Sequence, residues 1–138
     1  MKTRQHRIDD IKSEEGQAAV EFAQLAPVVI VLLLAVIQFG VTFNNYLTVT
    51  DAARAAARRA IVARIAGVTV PDIQQAAKDA ASDLPGTLGV TVTDPTDPFF
   101  KKPGSPITVT VTYPYSISII GIVVSSGNLT STMTGPLE

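Results

Sequence analysis

Glu21 is the residue of this chain most in need of a chemical explanation. It stands at the entrance of an apolar run, and from Phe22 to Phe43 the chain carries no formal charge. A carboxylate held deep and unpaired in hydrocarbon costs about 2.5–3.5 kcal/mol, so Glu21 requires a partner, a shallow position or a purpose. Upstream, Gly16 closes a short charged segment. A cut after Gly16 would make Gln17 the new N-terminus and Glu21 the fifth residue of the shortened chain. The new α-ammonium would then lie one helical turn from Glu21, or Glu21 would meet the ammonium of a neighbouring subunit. Either pairing neutralises both charges in a medium that solvates charge poorly.

Other residues offer little chemistry. His6 is the one histidine and it falls in the charged leader, and the absence of cysteine excludes disulfides, thiol catalysis and thiolate metal sites. There is no phosphate-cradling glycine loop. Asp94 and Asp97 flank a proline-rich turn, where Asx-turn hydrogen bonding is the simpler role. No catalytic, cofactor-binding or metal-ligating residue is expected, nor an enzyme or a small-molecule substrate. The formal charge of −1 gives no field that favours nucleic acid.

The elements that would position Glu21 follow from hydropathy. At about 1.5 Å per residue, a helix from Phe22 to Phe43 reaches roughly 33 Å, enough to cross a hydrocarbon core of about 30 Å. The remaining chain is too small to wrap that much all-round apolar surface, which argues against a buried core helix. Pro27 removes one backbone hydrogen bond and is a candidate kink, tolerated in lipid. Residues 1–16 balance Lys2, Arg4, Arg7 and Lys12 against Asp9, Asp10, Glu14 and Glu15, which predicts a disordered, solvated leader. A secretory signal peptide is the competing reading of residues 1–45. It lacks a small-x-small cut near Phe43-Asn44-Asn45-Tyr46 and leaves the Gly16–Glu21 spacing unexplained. Arg54, Arg58, Arg59 and Arg64 beyond the span match the basic residues before it, so charge counting sets no orientation.

Residues 44–138 suffice for a small domain but not for a large enzyme. Leu47, Ala53, Ala56, Ala57, Ala60, Ile61 and Ile65 keep a helical period, so the first helix should run past Asn44-Asn45 to about Ala66, with Gly67 as its terminator. The alanine-rich stretch from Ala52 to Ala60 is read first as the face that receives the protein's own sheet, and second as a subunit-packing face. Thr69 caps a second helix over 70–84 with Pro71 in its first turn. A β region over 88–134 then carries strands at Gly89–Thr93, at Ile107–Tyr113 and from Leu129 to Met133. Pro114 should end or edge its strand, and the apolar stretch 116–124 is ambiguous, too short to span but able to dip toward a membrane surface. Phe99 and Phe100 sit in a turn-rich loop as a possible partner contact, although tucking onto the sheet is the plainer reading.

Gly16-Gln17-Ala18-Ala19-Val20-Glu21-Phe22-Ala23, with Pro27 shortly after, resembles the TadE-like family, pseudopilins of the tight-adherence (Flp) type IV pilus system. The resemblance continues in Gln38-Phe39-Gly40, in Tyr46 to Arg58, in Val109 to Tyr115 and in Leu129 to Thr134. Two departures stand out: no Arg follows Met133, and Thr42-Phe43-Asn44 replaces a more usual basic residue.

The resemblance implies an α+β protein. A long N-terminal transmembrane helix (17–43) would extend into a small extracytoplasmic domain (44–138) with a helix extension over 44–66, a second helix and a three-stranded antiparallel sheet. It implies a cytoplasmic leader (1–16), removed by a prepilin peptidase between Gly16 and Gln17, and an assembly register set by Glu21 and Phe22. The implied partners are membrane lipid, the peptidase, other pilins or pseudopilins and the Tad inner-membrane assembly machinery. The implied location is the bacterial inner membrane. The alternative is an unprocessed, single-pass anchored binding domain.

Overall fold

The computed structural model describes residues 3–93 and 103–138. Phe99 and Phe100, with Asp94 and Asp97, lie outside the described residues. The chain divides into two compact units, Met1–Gln38 and Phe39–Glu138.

The first unit is helical. α1 (Thr3–Ile61) begins there and carries Pro27 in its interior without interruption. The charged segment before Gly16, expected to be disordered, is helical from Thr3. Its Arg, Gln, Lys and Glu residues are good helix formers, and the apolar helix it adjoins removes the cost of a separate nucleus. The apolar side chains after Gly16 face outward: Phe22, Leu25, Val28, Leu32 and Val36 are each more than half exposed.

The second unit is an α+β domain. α1 passes through Asn44-Asn45, where the Thr48 hydroxyl donates to the Asn44 carbonyl at 3.2 Å and Thr50 to Tyr46 at 2.9 Å. These back-bonds satisfy the two hydroxyls inside the helix. α1 stops at Ile61, short of the expected Ala66, and one further turn forms α2 (Ala63–Ala66). The Ile61 carbonyl accepts from the N–H of Glu138 at 3.1 Å, a bond from the far end of the chain that replaces a helix bond. Gly67 then takes φ 64° and its N–H closes on the Ala63 carbonyl. This left-handed cap is the termination expected of that glycine.

α3 (Val70–Ala80) is shorter than the expected 70–84. The Ala81 N–H is shared between the Ala77 and Lys78 carbonyls, and Leu84 N–H bonds Ala81, so the last residues tighten into turns before Pro85. At the other end, the Thr69 N–H and hydroxyl both donate to Asp72 Oδ2, at 2.8 and 2.6 Å. Two charge-assisted bonds hold the Asp72 carboxyl below its ordinary value, with the Arg59 charge a smaller contribution in the same direction.

The sheet has order β1-β2-β3, from β1 (Gly89–Thr93), β2 (Pro106–Ile119) and β3 (Ile122–Pro136), all antiparallel. β2 continues past Pro114. β1 begins, at Gly89, opposite Thr112, so beyond Thr112 β2 is paired on one side alone, an edge position that tolerates a residue without an N–H. The ambiguous stretch 116–124 becomes the far end of the β2–β3 hairpin, with a register shift at Ile117/Ser118.

Ile107, Val109, Val111 and Tyr113 point into the core. There they join Val49, Ala52, Ala53, Ala56 and Ala60 of α1, Ile73 and Ala77 of α3, and Leu137. The alanine face is thus the seat of the protein's own sheet. Small side chains let a flat β surface approach the helix closely. Thr108 pairs with Thr134 and Thr110 with Thr132 by hydroxyl bonds of 2.8 and 3.1 Å, so the polar set of each strand lies on the outer face. The Tyr113 hydroxyl donates to the Pro85 carbonyl at 2.6 Å and ties β2 to the turn that ends α3.

Candidate processing and assembly site

Gly16, Gln17, Glu21, Phe22 and Pro27 all lie on α1, within the first unit. The helical repeat places Gln17 and Glu21 on one face one turn apart, and Gln17 Nε2 donates to Glu21 Oε1 at 3.2 Å. In this uncut chain the carboxylate is therefore already met from residue 17, by a side-chain amide rather than by an α-ammonium. Sequence reasoning placed the two residues a turn apart but overlooked the amide as the donor. The i,i+4 Gln–Glu spacing was the signal that could have found it.

Gly16 faces open space, with nothing within 4 Å of where a Cβ would stand. It is one weak point of its helix, because glycine in a helix interior costs about 1 kcal/mol relative to alanine. Phe22 is 73% exposed beside Glu21. Pro27 leaves the Ala23 carbonyl without its usual helix donor.

Downstream, Gly16–Ile61 contains the one candidate membrane span among the described residues, judged by length and composition, and none of its most apolar window is buried. Phe39 and Phe43 stack one turn apart, ring centroids 6.2 Å apart, at the start of the second unit. Arg54 meets Asp51 at 2.9 Å in an exposed pair worth about 0–1 kcal/mol, so this basic stretch contributes little by itself. Among the described residues there is no group of His, Asp or Glu able to hold a metal ion.

Residues 16–58 match the family model described as TadE-like protein. The matched stretch takes in Gly16 to Phe22, the apolar run, Gln38-Phe39-Gly40 and Tyr46 to Arg58, three of the segments that carried the resemblance. It ends before α3 and the sheet. No curated protein and no solved structure matches the chain.

Proposed function

From the premise that residues 16–58 are TadE-like and hence point to a membrane protein associated with a Tad pilus system, we propose that this chain is a pilin-like assembly component. A prepilin peptidase in the inner membrane removes the leader after Gly16. The second unit then lies outside the cytoplasm, anchored by the apolar helix. The same helix packs among the helices of other pilins or pseudopilins when the Tad machinery assembles them.

The observation that carries this reading is the exposed Gln17–Glu21 pair at the head of an unburied apolar helix. Cleavage converts the backbone nitrogen of Gln17 into an ammonium. The carboxylate that now accepts one amide bond then gains a cation, its own or a neighbour's. In hydrocarbon that pairing is favourable only when the two charges meet directly, which makes it a register device rather than a general adhesive.

Replacing Glu21 tests the role. Glu21→Gln keeps a hydrogen-bond acceptor opposite Gln17 and loses the charge. Both Glu21→Gln and Glu21→Ala should remain in the membrane fraction, be processed, and fail to enter assembled material. Normal assembly from Glu21→Gln would reduce the site to a hydrogen bond and sink the register role.

A further inference from the structure

The β2–β3 ribbon outruns the rest of the sheet. β1 pairs with Thr108 to Thr112 only, so from Tyr113 to Leu129 the two strands have no third strand beside them. Two-stranded ribbons are marginal in water. This one nevertheless ends in apolar side chains: Ile120, Ile122, Val123 and Val124 are 61–73% exposed. No Asp, Glu, Lys or Arg occurs anywhere from Pro103 to Leu137 to guard the long edge.

The turn itself is unsuited to water. Ile120 has φ 52° and Gly121 φ 78°, left-handed positions at which Asn-Gly is the favoured pair. A β-branched residue is strained there, and Ile120, 73% exposed, gains no packing in return. Backbone strain combined with apolar exposure at one tip indicates an apolar surrounding outside the chain.

The second unit shows where the tip lies. At one end, a methyl placed on Gly135 would approach Ile61 Cδ1 to 2.6 Å, and Glu138 bonds the Ile61 carbonyl. From there the buried stripe of α1 runs back through Ala60, Ala56 and Ala53 to Val49, about 18 Å. The buried face of β2 runs from Ile107 to Tyr113, about 20 Å. The two stripes share one core and match in length, so a ribbon that follows the helix from Gly135 at Ile61 would bring Tyr113 level with Val49. Beyond that level β2 continues for about 20 Å to Ile119. The helix needs only about 9 Å to reach Phe43, the last residue before the polar Asn44-Asn45 pair. On that alignment the tip would pass the level of Phe43. Tyr46 and Tyr115 fall between the two levels, the headgroup depth that tyrosines favour.

We infer that Ile119–Val124 is a membrane-inserting tip, whose partner is the acyl boundary of the bilayer that the span enters. This rests on the membrane-anchored reading of α1. The tip gives the domain a second contact with the lipid, and this contact fixes its tilt over the membrane while the chain awaits assembly.

The chain has no tryptophan, so a single introduced one reports alone. Val123→Trp and Ile122→Trp, with Thr132→Trp on the outer sheet face as reference, are to be reconstituted as full chains. The vesicles are of phosphatidylethanolamine and phosphatidylglycerol with acyl chains brominated near the headgroup, and protein is kept dilute. The tip variants should lose most of their emission and shift to the blue, and Thr132→Trp should do neither. Adding Ile120→Asn to Val123→Trp should restore emission. Unaltered quenching in that double variant would overturn insertion through Ile120. Tip emission like that of Thr132→Trp would overturn the inference, as would a blue-shifted tip that bromine does not quench, which would mean a protein neighbour. Alkaline extraction of the same vesicles separates the two readings. A retained chain with an unquenched tip defeats the inference alone, whereas a released chain defeats the anchor as well.

Discussion

The proposed roles of Glu21 and Gly16 depend on what cleavage would make of them. Glu21 accepts a 3.2 Å bond from Gln17 while the chain is intact, and the ammonium exposed by cleavage would give the same carboxylate a charged partner. Gly16 is proposed to ease helix opening, and that is separately testable. Gly16→Ala should strengthen the local helix by about 1 kcal/mol and slow leader removal, measured as the ratio of full-length to processed chain over time. Unaltered processing would mean that helix opening at Gly16 does not limit the cut. In the second unit, Asp72 is the residue with a pH signature. Its bonds from Thr69 lower its value in the folded chain, so its contribution is present above the ordinary carboxylate range and is lost as pH falls through the lowered value. Thr69→Ala should flatten the acid limb of the stability–pH profile in detergent. An acid limb identical to that of the unaltered protein would contradict this.

Elements differ in how far local sequence determines them. The alternation Ile107–Tyr113 and the small residues Ala53, Ala56 and Ala60 were legible because each carries its own period and its partner is the other's complement. The stop at Ile61 was not legible, since it depends on an N–H donated by Glu138 from the opposite end of the chain. The continuation of β2 past Pro114 was hidden for a similar reason: proline reads as a terminator until its strand proves to have one free side. The helical state of residues before Gly16 was missed because charge balance was weighed above helix propensity. Of the candidate site, the one-turn spacing of residue 17 and Glu21 was legible, and 116–124 was read as able to dip toward a membrane surface, but its hairpin turn at Ile120-Gly121 was not, because nothing local distinguishes an apolar hairpin from an apolar helix turn. Two core substitutions test the element-level account. Ile73→Ala empties a fully buried position and should cost about 2–5 kcal/mol in denaturant titration in detergent. Ala53→Leu overfills the helix–sheet contact and should cost about 1–3 kcal/mol. If Ala53→Leu left the domain's stability intact but blocked assembly, the alanine face would belong to a neighbouring subunit instead.

Taken whole, the molecule joins a segment with no apolar burial of its own to a domain that buries its apolar stripe completely. Residues 39–138 enclose a core between α1, α3 and the sheet. Residues 16–38 leave all their large apolar side chains exposed except Leu34, which is half-buried, a surface suited to lipid or other helices. That division suits a membrane-anchored protein, and under the proposed function cleavage at Gly16 would convert the anchored chain into one ready for assembly. The most direct test is the intact mass and N-terminal sequence of the membrane-extracted chain, with and without a co-expressed prepilin peptidase. The account predicts a chain beginning at Gln17 only when the peptidase is present. A chain still beginning at Met1 in the presence of an active peptidase would contradict it, and one beginning beyond Phe43 would show that residues 1–43 act as a signal peptide.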